Sequence, residues 1–213
     1  MSVQMDADVM EPMGKQQLRV RETQSRLLAA AEEVFVRDGF EAAQLDEIAA
    51  KADRSKGAVY THFKSKEDLF LALFEQRTRV YIDQLMVALQ ACTSRKQSME
   101  AFRGFYVGLV KDQSWPILTL EFKLFALRHP QWKERLHNAF ELAKPSNQRR
   151  ERRKLFGECS AEQLDEIELA IAAMGPILSG LVLESHFETK VLSEKGLERI
   201  AGKLFDALFA GGR

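Results

Sequence analysis

An all-α protein is what this sequence predicts, and three observations carry the prediction. Apolar residues recur at three- and four-residue spacing through most of the chain, the period of an amphipathic helix. No stretch alternates apolar and polar residues as a half-buried strand does. Segment ends carry helix punctuation, with Ser at starts and Gly or Pro at ends. A hydrophobic content of 46% and a charged content of 29% are ordinary for a folded domain and argue against disorder. The 213 residues can bury one sizeable core or two small ones.

Residues 1–17 lack periodicity and read as a mobile tail. A first helix is expected over about 19–38, with Leu27, Ala31, Val34 and Phe35 as its apolar stripe and Gly39 as its terminator. Leu45, Ile48, Ala49 and Ala52 form one face of a short second helix. Asp53-Arg54 interrupts, and Ser55 restarts the chain as an N-cap. Val59 and Phe63, four apart, let a third helix pack back on the second. Ser65 opens a long helix to about residue 91, with Glu67 and Asp68 at the positive end of its dipole.

A helix over 98–113 carries Phe102, Phe105, Tyr106 and Leu109. Trp115-Pro116 marks a boundary, since a residue before proline avoids the helical region. The helix that follows, 117–128, is apolar nearly all round apart from Glu121 and Lys123, and His129-Pro130 ends it. Residues 131–143 are amphipathic through Trp132, Leu136, Phe140 and Leu142, and Pro145 breaks the pattern. The basic run Arg149–Lys154 reads as a solvated helix face rather than a second nucleic-acid site. Ser160 with Gln163 makes a capping box for a helix over about 161–184, and residues 193–209 form the last helix.

Composition narrows the function. Net charge is zero, and residues 15–66 hold ten Lys/Arg against eight Asp/Glu, so any contact with a polyanion rests on placement rather than bulk charge. Cys92 and Cys159 fit neither a metal spacing nor a redox motif and suit reduced thiols in a cytoplasmic protein. No secretory signal is visible at the N-terminus. The charge-free stretch 169–183 is shorter than the roughly 20 residues a spanning helix needs and contains Pro176, so it reads as a buried helix and no membrane partner is expected. There is no phosphate loop, nucleophile elbow or paired metal spacing, and His129, His137 and His186 are too scattered for a metal site. The expectation is a non-enzyme without cofactor.

The informative stretch is 45–66. Its third helix turns Lys56, Ala58, Tyr60, Thr61 and His62 away from Val59 and Phe63. Small, hydroxylic and cationic side chains on a short bare helix are poor core material and suit a DNA groove, with methyls and hydroxyls for base edges and donors for phosphates. Two short helices joined by a tight turn, the second exposed, make a helix-turn-helix. Residues 39–74 resemble the DNA-binding signature of the TetR family of bacterial transcription regulators, matching it at Gly39, Ile48, Ala49, Ala52, Ser55, Gly57, Tyr60, His62, Phe63, Lys66 and Leu69.

The resemblance implies a three-helix DNA-binding head over 18–64 and a larger helical ligand-binding and dimerisation domain over 65–213. It places Gln44, Arg54, Ser55, Lys56, Ala58, Tyr60, Thr61, His62 and Lys66 at the double-stranded DNA operator, with Thr61, Ala58 and Lys56 at base edges and Tyr60, His62 and Lys66 at phosphates. Departures from the pattern are Asp53 where glycine is common, Arg54 in place of an apolar residue, Gln44 where threonine often caps, and Asp46 in the first turn of a reading helix. One head offers too few contacts for operator-level specificity, so a homodimer on a palindrome is expected, joined through the two C-terminal helices. Small residues Ala170, Ala172, Ala173, Gly175, Ser179 and Gly180 favour close helix approach there.

The resemblance also implies a repressor released by a small organic effector, a coupling typically worth about 1–3 kcal/mol. Candidate pocket residues are Phe102, Phe105, Tyr106, Glu121, Phe122, Phe125, Trp132, Met174 and Leu178, with Glu121 needing a cationic ligand or a structural partner if buried. The competing reading is a helical protein-interaction module with no effector.

Overall fold

The computed structural model describes residues 14–142 and 149–209, and ten helices follow one another among them. They are α1 (Lys15–Ala42), α2 (Leu45–Lys51), α3 (Lys56–His62), α4 (Lys66–Gln90), α5 (Arg95–Leu109), α6 (Ser114–Arg128), α7 (Pro130–Leu142), α8 (Arg149–Phe156), α9 (Ala161–Ser185) and α10 (Glu194–Leu208). Residues 1–13 of the expected tail and the expected break at Pro145 lie outside the described residues, as do the side chains of Leu136, Phe140 and the first four residues of α8.

Local chemistry moves three boundaries from their expected places. α1 starts at Lys15 rather than residue 19, where Gln17 Oε1 accepts the Gly14 N–H at 3.2 Å. Its regular path breaks at Gly39, whose φ of 75° lets the chain turn and carry Phe40 into the core. α5 starts at Arg95 rather than 98 because Ser94 and Gln97 form a reciprocal capping box. Trp115-Pro116 sits inside the first turn of α6 instead of preceding it. A proline there loses no hydrogen bond, because first-turn N–H groups have no partner within the helix. Asp112 Oδ1 takes over, accepting from the Ser114 and Trp115 N–H groups at 3.0 and 2.9 Å.

Two apolar cores form, and α4 passes through both. The head core gathers Leu27, Val34, Phe35 and Phe40 of α1, Ile48 of α2, Val59 of α3, Leu69–Phe74 of α4, and Leu118, Phe122, Phe125 and Ala126 of α6. The body core joins Leu85 and Leu89 of α4 to Phe102 and Tyr106 of α5, Leu155 and Phe156 of α8, Met174 and Leu178 of α9, and Phe205 and Phe209 at α10. α4 thus gives its first turns to one core and its last turns to the other, and α6 joins the head core from beyond the expected 64/65 boundary.

α9 differs from its expected burial. It packs Ala170, Ile171, Met174, Leu178 and Val182 inward, but Leu169 is 64% and Ile177 39% exposed, and Ala172, Pro176 and Gly180 also face outward. Its 25 residues meet the length and composition of a membrane-crossing helix. The inward row seated in the body core, and Pro176 in mid-helix, mark it instead as a core helix with one uncovered apolar side.

Candidate nucleic-acid interface and ligand cavity

The turn between α2 and α3 is made by Asp53, the one positive-φ non-glycine among the described residues, at φ 55°. A short polar side chain tolerates this left-handed conformation better than most, which is how aspartate replaces the usual glycine. Ser55 then caps α3, its Oγ accepting the Ala58 N–H at 3.2 Å. Val59 and Phe63 are buried in the head core, which fixes the roll of α3. The rest of the helix follows from that roll: Ser55, Lys56, Gly57, Tyr60 and Thr61 are exposed, and Ala58 and His62 half-buried.

Most of these groups already have protein partners that DNA would have to share or displace. Lys56 Nζ pairs with Asp46 at 2.8 Å, and that hydrogen bond raises the lysine above its ordinary range. Arg54 Nη1 donates to the Asp53 carbonyl at 2.7 Å, using one of five donors. The exposed Thr61 donates its hydroxyl to the Gly57 carbonyl at 3.0 Å, leaving its oxygen as acceptor. Tyr60 stands 52% exposed. His62 lies beside Phe63, ring centroids 6.2 Å apart. Gln44 makes no side-chain cap on α2 and donates to the Ala42 carbonyl at 3.1 Å.

Lys66, also expected at a phosphate, is the most heavily partnered of the set. Its ammonium donates to the carbonyls of Phe40, Glu41 and Ala43 at 2.8, 3.0 and 3.2 Å and sits over the Phe40 ring. Its three N–H bonds are thereby engaged, closing the carbonyl end of α1, so Lys66 positions the head, and a phosphate would have to displace one of these carbonyls.

A cavity of about 350 Å³ lies where the two cores meet, partly open to solvent and walled by α4, α5, α6 and α9. Of the nine expected pocket residues, Phe105, Tyr106 and Leu178 line it. The other six do not, for two reasons. Phe102 and Met174 are fully buried in the body core, and Phe122, Phe125 and the flanking Trp132 belong to the head core, where Phe122 meets Phe70 and Phe74 at 4.5 and 4.6 Å. Glu121 points to the head: its Oε2 accepts the Phe40 N–H at 3.4 Å, the structural partner its partial burial requires.

Sequence reasoning missed Thr78, Tyr81, Thr119 and Lys123, which also line the cavity with Trp115. The available signal was spacing. Residues two apart on a helix point some 200° from each other, so Glu121 toward the head places Lys123 on the other side.

A polar relay connects the cavity wall to α1. The Tyr81 hydroxyl and Arg77 Nη2 both donate to Asp112 Oδ2, Arg77 Nη1 lies 3.7 Å from Glu32 Oε1, and the Ser114 hydroxyl reaches that same oxygen at 3.0 Å. Burial, then the bond to Asp112, pushes the Tyr81 phenol above its usual range. Burial alone would raise Asp112, but hydrogen bonds from Tyr81, the Trp115 N–H and Ser114, with the Arg77 charge, hold it below the usual carboxylate range.

The site thus combines a bare helix-turn-helix seated on one core with a walled cavity at the joint to a second. Residues 27–73 match the model for bacterial regulatory proteins of the tetR family. Over that stretch the chain is similar to the TetR family of transcriptional regulators. It is 40% identical over 93 residues to the HTH-type transcriptional activator FasR of Mycolicibacterium smegmatis, covering 44% of this chain and 42% of that protein. It is 30% identical over 112 residues to the Transposon Tn10 TetC protein of Escherichia coli, covering 53% and 56%. The match thus spans about half the length of these relatives. In fold it resembles the transcriptional regulator FadR from Bacillus subtilis, solved in complex with stearoyl-CoA, with a TM-score of 0.64 at 18% identity over 88% of this chain and 98% of that one.

Proposed function

We propose that the protein is a ligand-responsive repressor that binds a palindromic operator as a homodimer and leaves DNA when a small, largely apolar effector enters the cavity. The observation that carries this reading is the position of the cavity. Its walls include the middle of α4 and the start of α6, and those same helices complete the head core on the cavity's far side. A ligand that shifts α4 against α6 moves both the Phe40–Glu121 contact and the Arg77–Asp112–Tyr81 relay, and with them the head.

On the DNA side, Ala58, Thr61 and Lys56 read base edges, and Tyr60 and His62 meet phosphates, with Gln44, Arg54 and Ser55 at the rim. The uncovered side of α9, with Leu169 and Ile177 exposed, supports dimerisation through α9 and α10. A cytoplasmic protein follows from a DNA partner.

The test is retardation of the DNA upstream of the protein's own gene, with salt and effector varied. Specific, salt-dependent retardation by a dimer, relieved by a cavity ligand, is the expected result. A strictly monomeric mass at micromolar concentration, or no sequence preference, would overturn it. Activation is the second reading, favoured by FasR, a relative described as an activator. Reporter output in a strain lacking the gene separates the two by its sign.

A further inference from the structure

Apolar side chains stand at the surface in two rows beside the cavity. On α6, Leu120, Leu124 and Leu127 are 45%, 39% and 71% exposed, at the spacing of one helix face. On α9, Leu169, Ala172, Pro176 and Gly180 are exposed at a similar spacing. At about 100° per residue, the two helices repeat one order around their axes. Around α6 come the head core at Phe125 and Phe122, the cavity at Trp115 and Thr119, and then the leucines. Around α9 come the body core at Met174 and Leu178, the cavity at Gly175 and Ser179, and then the row from Leu169 to Gly180. Ala172 and Pro176 belong both to the cavity wall and to the outward row, so the cavity opens on this side of α9.

We propose that a second copy of this chain seats on α6 and α9 together and closes the mouth of the cavity, so that the ligand site is incomplete in a lone chain. The proposal rests on the homodimer proposed above and adds which helices meet and what their meeting does to the cavity. Area is the first argument. One side of the 25-residue α9, about 37 Å long and about 10 Å across, offers roughly 400 Å², about half of the roughly 800 Å² each partner buries in a stable interface. α10 adds a charged side rather than an apolar one, with Lys195, Arg199 and Lys203 exposed. The leucine row of α6 is the apolar surface that extends the seat, and a soluble monomer rarely leaves such a patch bare. Self-complementarity is the second argument. A twofold partner presents the same patch, and because neither row carries a charge, pairing them buries none. Ala172, Pro176 and Gly180 are small or compact, which leaves room for the partner's leucines to approach α9 closely.

The test measures mass by sedimentation equilibrium and the exposure of Trp115 by acrylamide quenching, on the full chain carrying Trp132→Phe so that Trp115 is its sole tryptophan. Leu120→Glu with Leu127→Glu puts two charges into the seat and should raise the dimer dissociation constant about a hundredfold or more, because a charge buried without a partner is costly. Val87→Glu, at an exposed apolar residue of α4 outside both rows, should leave that constant unchanged. Trp115 should be quenched less in the dimer than in the double variant or in the parent diluted to monomer. A dimeric parent whose mass the double substitution does not move would overturn the seat on α6 while leaving the homodimer standing. Equal quenching in dimer and monomer would overturn the closing of the cavity. A parent that is monomeric at micromolar concentration would overturn the homodimer itself, and this proposal with it.

Discussion

The head core and the body core are built from the same material, packed phenylalanines at 4.5–6.4 Å, yet they are closed in different ways. The body core lies wholly within 85–209. The head core takes Leu118, Phe122, Phe125 and Ala126 from α6, so the DNA-reading unit is finished by a helix that also walls the cavity. Sharing α6 makes the head sensitive to whatever displaces that helix, with no separate linkage needed. Interiors are close-packed, and a shift on one face of a shared helix is felt on the other.

The largest expected effect tests that asymmetry. Phe122→Ala and Phe102→Ala each empty a fully buried site and should lose about 3–5 kcal/mol in denaturant unfolding. Assayed well below its midpoint, Phe122→Ala should also lose most operator binding, whereas Phe102→Ala should retain it. Equal DNA affinity in the two variants would show that the head is independent of α6.

Next in size is the relay. Asp112→Asn should cost about 1–3 kcal/mol, since Arg77 and Tyr81 both lose a charged acceptor. It should also blunt effector-driven release from DNA more than DNA affinity itself. Because folding holds Asp112 below its ordinary pKa of 3.8, the stability it adds is present above that value and is lost as pH falls through the depressed one. The parent protein should therefore lose stability on acidification more steeply than Asp112→Asn. Parallel pH profiles would remove Asp112 from the account.

Smaller still is a pair of changes that separates positioning from contact. Lys66→Met should lose about 1–2 kcal/mol by leaving the carbonyl end of α1 unpaired. Tyr60→Ala should change stability by less than about 0.5 kcal/mol, as exposed positions do, while weakening binding to all DNA sequences. If Tyr60→Ala bound DNA as well as the parent, the outward face of α3 would not be the interface. The smallest effect is at the turn: Asp53→Gly should raise stability by up to about 1 kcal/mol, because glycine relieves the left-handed strain.

How much was legible follows the same divide. The capping of α3 by Ser55, the opening of α4 by Ser65 and the capping box of α9 depend on residues three apart, and all three read correctly from sequence. The outward set on α3 was equally readable, because burying Val59 and Phe63 determines the roll of a seven-residue helix. The cavity was not. Phe122 and Phe125 look no different in sequence from Phe105, and only the packing of α1 and α4 against α6 sends the first two into the head core. Glu121 drew notice as the polar residue on an apolar helix, but its partner is a backbone N–H 81 positions away.

Periodicity, caps and one dense motif were sufficient, without coordinates, to establish ten or so helices, a DNA-reading head and its exposed residues, because each depends on neighbours within a turn or two of the chain. Which aromatic rings fill a core and which face empty space was decided only by tertiary assembly, as were the engagement of Lys66 by α1 and the placement of Lys123 and Thr119 in the cavity wall. The reason is physical: burial and hydrogen-bond partnership belong to pairs of surfaces, and the second surface of each pair lies far off along the chain.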